Sequence, residues 1–250
     1  MTAGPAGMAF DRIARRYDEL WSETVIGREQ RAAVWRRIDP LFRPGDRVLD
    51  LGCGNGVDAL HLMRKGVQVC GIDASEQMAI EARARGVDAR WLAIEALGEV
   101  EGRFDGAISN FGALNCLADL APVAGRLGSL IRPDGYLAIC VLGRFCAWEA
   151  AHFLRGGQPA KAFRRLRRGG CESSLGIQVY YHAPRRILEA FGRNFAFLRS
   201  YGIGVCVPPS YAGAVSERAA GLMAALDRRL AHLPVFRSLG DHRLFIFQRV

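Results

Sequence analysis

Arg47-Val48-Leu49-Asp50-Leu51-Gly52-Cys53-Gly54-Asn55-Gly56 is the stretch whose reading decides the fold. Val48 to Leu51 is a short apolar run broken only by an acid, the pattern of a buried strand. Gly52, Gly54 and Gly56 follow at alternate positions. Glycine permits a sharp turn and lets bare backbone approach a ligand. Val57 to Lys65 has the pattern of a helix, so its first N–H groups would face the same spot. A dinucleotide loop spaces its glycines as G-x-G-x-x-G. Here Val57 takes the place of the third glycine, and the spacing is G-x-G-x-G. Asp50, at the end of the strand, would repel a pyrophosphate. A zwitterionic, cationic ligand suits the loop better.

Val67 to Ile72 is a second apolar run, and Asp73 ends it. Asp73 follows Asp50 by 23 residues, the length of one strand-loop-helix-strand unit. It would therefore meet the ligand at the carboxyl edge of a parallel sheet, where an acid can accept hydrogen bonds from both hydroxyls of a ribose. The plainer role for Asp73 is to cap the helix that starts near Ser75. The two roles are compatible.

Further strands are expected at Ala89–Leu92, Phe104–Ser109 and Gly135–Leu142, the last after the turn Leu130-Ile131-Arg132-Pro133-Asp134-Gly135. Near the start stands Phe10-Asp11-x-x-Ala14-x-x-Tyr17-Asp18. The glycine loop resembles motif I of the class I S-adenosylmethionine-dependent methyltransferases. The turn resembles their L-x-P-G-G lead-in to strand five, with Asp134 for the first glycine. The opening segment resembles the F-D-x-x-A-x-x-Y-D helix of their small-molecule branch, including the quinone-biosynthesis enzymes. The resemblance covers about residues 8 to 142 and the last strand.

That resemblance implies an α/β fold: a seven-stranded Rossmann-like sheet in the order 3-2-1-4-5-7-6, with helices on both faces and lid insertions. It implies one domain over residues 1–250, with an N-terminal helical cap over 1–45 and lids over 143–176 and 206–240. The implied cofactor is S-adenosylmethionine, and the product S-adenosylhomocysteine. Its implied contacts are Tyr17, Asp50, Gly52, Cys53, Gly54, Asn55, Asp73, Ala74, Met78, Glu95, Ala96, Asn110 and Phe111. There are departures from the family pattern. Ile94 stands where an Asp holds the adenine amino group, and Glu95 is one place later. Ser109-Asn110-Phe111-Gly112 lacks both prolines of the D/N-P-P-Y/F signature of protein and base N-methyltransferases. A small-molecule acceptor is therefore expected, ahead of an RNA or protein substrate or a non-catalytic cofactor-binding role.

Composition agrees. A chain of 250 residues with 50% hydrophobic side chains can bury a sizeable core. No apolar run is long enough to span a bilayer, and Met1 to Met8 lacks a signal-peptide core, so a soluble cytoplasmic protein is expected. Seven cysteines without a C-x-x-C pair read as reduced. Five scattered histidines suggest no metal site. The formal charge is +9, and Lys65 and Lys161 are the only lysines among 34 basic side chains. The arginine excess reads as codon habit, and nucleic acid is not an expected partner.

Specificity is expected after strand five. Phe145, Trp148, His152 and Phe153 would form one aromatic helical face, either core packing or a wall for an aromatic or lipid-like acceptor. Glu149 and His152, three apart, would be a base with its orienter, or a surface ion pair. His182, after Tyr180-Tyr181, is the other candidate base. Arg155, Lys161, Arg164, Arg165, Arg167 and Arg168 make a basic segment, either a solvated helical face or a patch for an acidic substrate or acidic carrier protein. Ile177–Tyr181, Phe195–Val205 and Arg243–Val250 read as strands. Helices are expected from Pro184 to Phe191 and from Ser216 to His232.

Overall fold

The computed structural model describes residues 4–213 and 215–250, so the first three residues of the expected cap and one residue of the second insertion lie outside it. Its centre is a seven-stranded sheet: β1 (Arg47–Leu51), β2 (Gln68–Asp73), β3 (Asp88–Trp91), β4 (Phe104–Ser109), β5 (Ile131–Leu142), β6 (Phe195–Ile203) and β7 (His242–Arg249). The spatial order is β3-β2-β1-β4-β5-β7-β6. β1 to β5 run parallel, and β7 runs antiparallel between β5 and β6. This is the expected Rossmann-like order.

Alternation along β1 sets the two faces. Leu49 and Leu51 join Ile72, Leu137, Ile139, Phe245 and Phe247 in one core, with Leu127 and Ile187 from helices Ala121–Leu130 and Pro184–Phe191. Val48 joins Ile108, Ala138, Leu244 and Ile246 in the other, with Val34, Ile38, Ala59 and Leu62 from helices Val25–Ile38 and Val57–Met63. Asp50 alternates onto Val48's face. In the sheet register it lies between Gly71 of β2 and Ile108 of β4, so its carboxyl is 1% exposed. Parallel strands put all their carboxyl ends on one edge, and the site forms there.

β5 begins four residues earlier than its sequence suggests. Helix Ala121–Leu130 passes straight into it, and Asp134 (φ +65°) takes the left-handed bend that the family's glycine provides. The expected strand at 177–181 is reduced to Gln178–Val179, paired with Cys171–Glu172 in a small hairpin. Beyond Val179 the chain leaves this ladder: the Tyr180 N–H donates to the Asn115 carbonyl. The segment 206–240 contains helix Glu217–Leu230, capped by Ser216, and packs through Val207 and Ala224 onto Ile26.

Candidate active site

The glycine loop is held open by its own backbone. Gly52, Gly54 and Gly56 have φ of +71°, +54° and +82°. A Cβ on Gly52 would lie 2.3 Å from that of Ala113, whereas a Cβ on Gly54 would meet nothing within 4 Å. Gly52 is thus a packing requirement, and Gly54 leaves a cradle. Asp73 organises this loop. Its Oδ2 accepts from the Gly54 N–H at 2.8 Å and its Oδ1 from the Ser75 N–H at 2.8 Å. Burial pushes the Asp73 carboxyl up to about 6, against the pull of those two donors, and the nearby Asp11 carboxylate adds to the rise.

The N-terminal motif has a structural meaning that its pattern alone did not reveal. Asp11 accepts from the Ser75 hydroxyl at 2.6 Å and from the Gln77 N–H at 3.0 Å, at the start of helix Glu76–Ala84. Asp18 accepts from Asn55 Nδ2 at 2.7 Å and pairs with Arg85. The two acids pin the segment across the glycine loop and the β2–helix turn. Tyr17, between them, is placed in the cleft wall, and burial raises its phenol pKa.

Two buried side chains there have unmet polar atoms. Asn110, 7% exposed, has neither its Oδ1 nor its Nδ2 bonded among the described residues. Asp50 Oδ2 has no partner either. Burial, helped by Asp58 and Asp73, drives the Asp50 carboxyl well above its ordinary range, and Arg31 only partly opposes this. Phe111, next to Asn110, adopts φ +54°, an unfavourable region for a non-glycine residue. Its ring packs edge-on against Trp21 at 4.6 Å and His242 at 5.3 Å. Buried polar groups are normally satisfied, so unpaired ones at one strand edge mark a place built for a ligand.

Asn110 and Phe111 line one cleft of about 440 Å³ with Tyr17, Asp73 and the glycine loop, and Asp50 lies outside that lining. At one end are Gly52, Gly54, Asp73, Ala74, Met78, Ile94, Glu95 and Asn110. The other end is roofed by Pro5, Ala6 and Phe10 of helix Pro5–Asp11 and by Leu175, Ile177 and Val179 of the hairpin, with Leu142 and Tyr180 beside them. The two roof elements pack on each other through Ala9, Ile177 and Val179. Asn115, fully buried, fixes the roof to the sheet. Its Nδ2 donates to the Tyr180 carbonyl at 2.7 Å, and its Oδ1 accepts from the Leu142 N–H at 2.8 Å. Nothing in the sequence reading pointed to Asn115.

Other expected residues lie elsewhere. Cys53 turns away from the cleft and packs on Gly71, and Asn55 is spent on Asp18. Ala96 packs against the core behind Glu95. The expected base-orienter pair does not form. Glu149 is 1% exposed and accepts from Arg164 Nε at 2.9 Å, Arg165 Nη2 at 2.7 Å and the Tyr211 hydroxyl. Burial alone would raise its pKa, but Arg165 and Arg164 hold it below the ordinary range. His152 sits with Trp148 and Phe153 on a separate shallow depression, and Trp148 Nε1 donates to the Val205 carbonyl at 3.2 Å. The aromatic stripe therefore walls no part of the cleft. His182 is buried with its Nε2–H on the Leu117 carbonyl at 2.9 Å, and burial lowers its pKa. The basic segment is not one helical face either. Arg165 is buried between Glu149 and Asp241, and only the flanking cations face solvent. No described residue of 206–240 lines the cleft.

Comparison with known proteins agrees with this geometry. A family described as a methyltransferase domain matches residues 26–192. A demethylmenaquinone methyltransferase of Beutenbergia cavernae is 36% identical over 142 residues, 54% of this chain and 56% of that protein. The chain spans about half the length of the curated relatives it matches. An S-adenosylmethionine-dependent methyltransferase of Thermotoga maritima superposes with a TM-score of 0.63 at 15% identity, covering 97% of this chain and 98% of that one. A geranyl diphosphate C-methyltransferase of Streptomyces coelicolor A3(2), solved with Mg2+, geranyl diphosphate and S-adenosyl-L-homocysteine, gives 0.59 at 16% identity, covering 88% and 79%. At these identities the structural likeness is one of fold.

Proposed function

This chain belongs to the methyltransferase-domain family, and we propose that it transfers the methyl group of S-adenosylmethionine to a small apolar acceptor. The carrying observation is the division of one cleft: unpaired polar groups and a bare glycine cradle at one end, an apolar roof at the other.

The residues present fit the cofactor. Asp73 has lone pairs left for ribose hydroxyls after accepting from Gly54 and Ser75. The open space over Gly54 admits a ligand against the backbone. Asn110 offers an unpaired acceptor on the cleft wall for a cationic amino-acid end, with the Asp50 carboxyl buried at the end of the neighbouring strand. Met78 and Ile94 give apolar cover for a flat base, with Glu95 on the rim. When bound, the cofactor supplies an electrophilic sulfonium methyl group. The protein's part is orientation and exclusion of water. Phe10, Leu142, Ile177 and Val179 would hold an apolar acceptor under the roof, with Tyr180 fixed beside it by Asn115.

Calorimetric titration with S-adenosylhomocysteine tests the first half of the reading, and a methyl-transfer screen across ring-bearing and isoprenoid-like acceptors tests the second. Binding at micromolar Kd, about −7 to −8 kcal/mol, is expected. No heat and no thermal shift at millimolar ligand would reject the cofactor assignment. Transfer only to charged, water-soluble acceptors would reject the apolar one.

A further inference from the structure

The insertion that follows β5 carries a surface which methyl transfer does not use. From Gly143 to Gly170 the only acid is Glu149, and it is buried beneath Arg164 and Arg165. Arg144, Arg155, Lys161, Arg167 and Arg168 are exposed, and among the described residues none is ion-paired. Three large apolar side chains are exposed among these cations: Leu154 at 48%, Phe163 at 45% and Leu166 at 43%. Along the same segment Cys146, Glu149, Ala150, Ala162 and Arg165 are buried, and Phe145, Trp148 and Phe153 are half-buried. Its aromatic first half packs partly inward, whereas Leu154, Phe163 and Leu166 turn outward. Single exposed apolar residues need no explanation, but three interleaved with five unpaired cations in one short segment do.

We propose that the segment 144–168 docks this protein on an anionic lipid surface. Cations gain from the negative potential of such a surface, and apolar side chains gain by entering the boundary between headgroups and acyl chains. Leu154, Phe163 and Leu166 supply the second term, which charge alone does not explain. Arg155, Lys161, Arg167 and Arg168 make no side-chain hydrogen bond among the described residues, so they are not set in the fixed geometry that pairing with particular carboxylates of a protein would use. Cations over a fluid sheet of headgroups need no such geometry. No helix among the described residues is long and apolar enough to cross a membrane, so the contact is peripheral.

The position gives the contact a use. The segment runs directly into the hairpin Cys171–Val179 that roofs the apolar end of the cleft. An apolar acceptor leaving the bilayer would reach that roof without crossing water. This use rests on the apolar-acceptor reading, whereas the docking itself does not.

Co-sedimentation of the full chain with lipid vesicles tests the proposal. Vesicles of phosphatidylcholine mixed with phosphatidylglycerol should pull the protein down at low salt, and phosphatidylcholine alone should not. Replacing Arg155, Lys161, Arg167 and Arg168 together by Gln should weaken that binding by several hundred-fold, at about fivefold per cation. Replacing Leu154, Phe163 and Leu166 by Ser should separately weaken binding to the same mixed vesicles. Both variants should bind S-adenosylhomocysteine as the unaltered chain does, which shows that they are folded. Failure of that titration in the unaltered chain would count against the methyl-transfer reading and leave the vesicle result standing. No capture by mixed vesicles, equal capture by neutral ones, or undiminished capture of either variant would overturn the proposal. If only the Gln variant lost binding, the contact would be one of charge alone, and an acidic protein would be the better partner.

Discussion

Replacing Asp73 by Ala separates its two tasks, because they respond differently to pH. Folding raises the Asp73 carboxyl from 3.8 to about 6. For a group whose folded pKa lies above its unfolded one, protonation favours the folded state. Its contribution to stability is complete below 3.8 and is lost as the pH rises through about 6. Between pH 7.5 and pH 5 the unaltered chain should therefore gain roughly 1.4 kcal/mol from this one group, and Asp73→Ala should gain none of it. Groups remote from Asp73 titrate alike in both proteins and cancel, and Asp50, whose pKa the Asp73 charge also raises, shifts the difference in the same direction. The truncation also strands the Gly54 and Ser75 N–H groups, each held at 2.8 Å, so a pH-independent loss of about 1 kcal/mol or more per donor is expected in addition. Urea unfolding of both proteins at the two pH values measures the difference, and a stability gap that does not widen at pH 5 would refute the reasoning. Calorimetry at pH 7.5 measures the second task. Loss of charge-assisted bonds to two ribose hydroxyls should weaken S-adenosylhomocysteine by about 3 kcal/mol or more, at least 100-fold. An affinity within twofold of the unaltered chain would show that Asp73 does not hold the ribose.

Two other substitutions should dissociate stability from binding. Asn110→Ala removes two buried polar atoms that have no partner, so the ligand-free protein should be as stable as before or more so, while S-adenosylhomocysteine binds about tenfold or more weakly; a destabilised variant with normal affinity would mean that Asn110 serves the fold. Glu149→Ala should do the reverse. Arg165, 4% exposed, would keep only Asp241 as a charge partner, at a cost of about 3–5 kcal/mol in denaturant unfolding, with cofactor affinity unchanged because Glu149 lies outside the cleft.

The contrast between these residues explains what could be read from the sequence. The loop Gly52–Gly56 and Asp73 follow local rules. An apolar run fixes a strand, glycines fix a turn, and one strand-helix-strand length sets the distance to the next acid. Sheet order followed from the family resemblance. Glu149, Arg165 and Asp241 meet across |i−j| of 16 and 76, and Asn115 meets Tyr180 across 65, so no local pattern announces them. The aromatic stripe failed for a different reason. Helical spacing says which side chains share a face, but not which surface that face meets, and here Trp148 met Val205, outside the cleft. The roof was only half legible: its second arm was expected as a strand at 177–181, whereas its first arm, Cys171–Glu172, is too short for any periodicity to register.

Taken with Asp50, the state of Asp73 fixes the direction of proton movement when the cofactor binds. Burial raises both carboxyls, and Arg31 only partly opposes the rise at Asp50. A ligand that brings a cation toward Asp50 and hydroxyl donors toward Asp73 favours both ionised forms and lowers both pKa values. Near pH 6, where Asp73 is about half protonated when free, binding must then release protons to the buffer. Calorimetric titrations with S-adenosylhomocysteine, run at pH 6 in two buffers of different ionisation enthalpy, give the number released from the difference in heat. Asp50→Asn and Asp73→Asn should each reduce that number, because each removes one titrating group and keeps its shape. Above pH 8 the release from Asp73 should vanish, since that carboxyl is already ionised. Proton uptake at pH 6, or a release left unchanged in both variants, would mean that the ligand's charged end lies elsewhere in the cleft and that the two acids are structural.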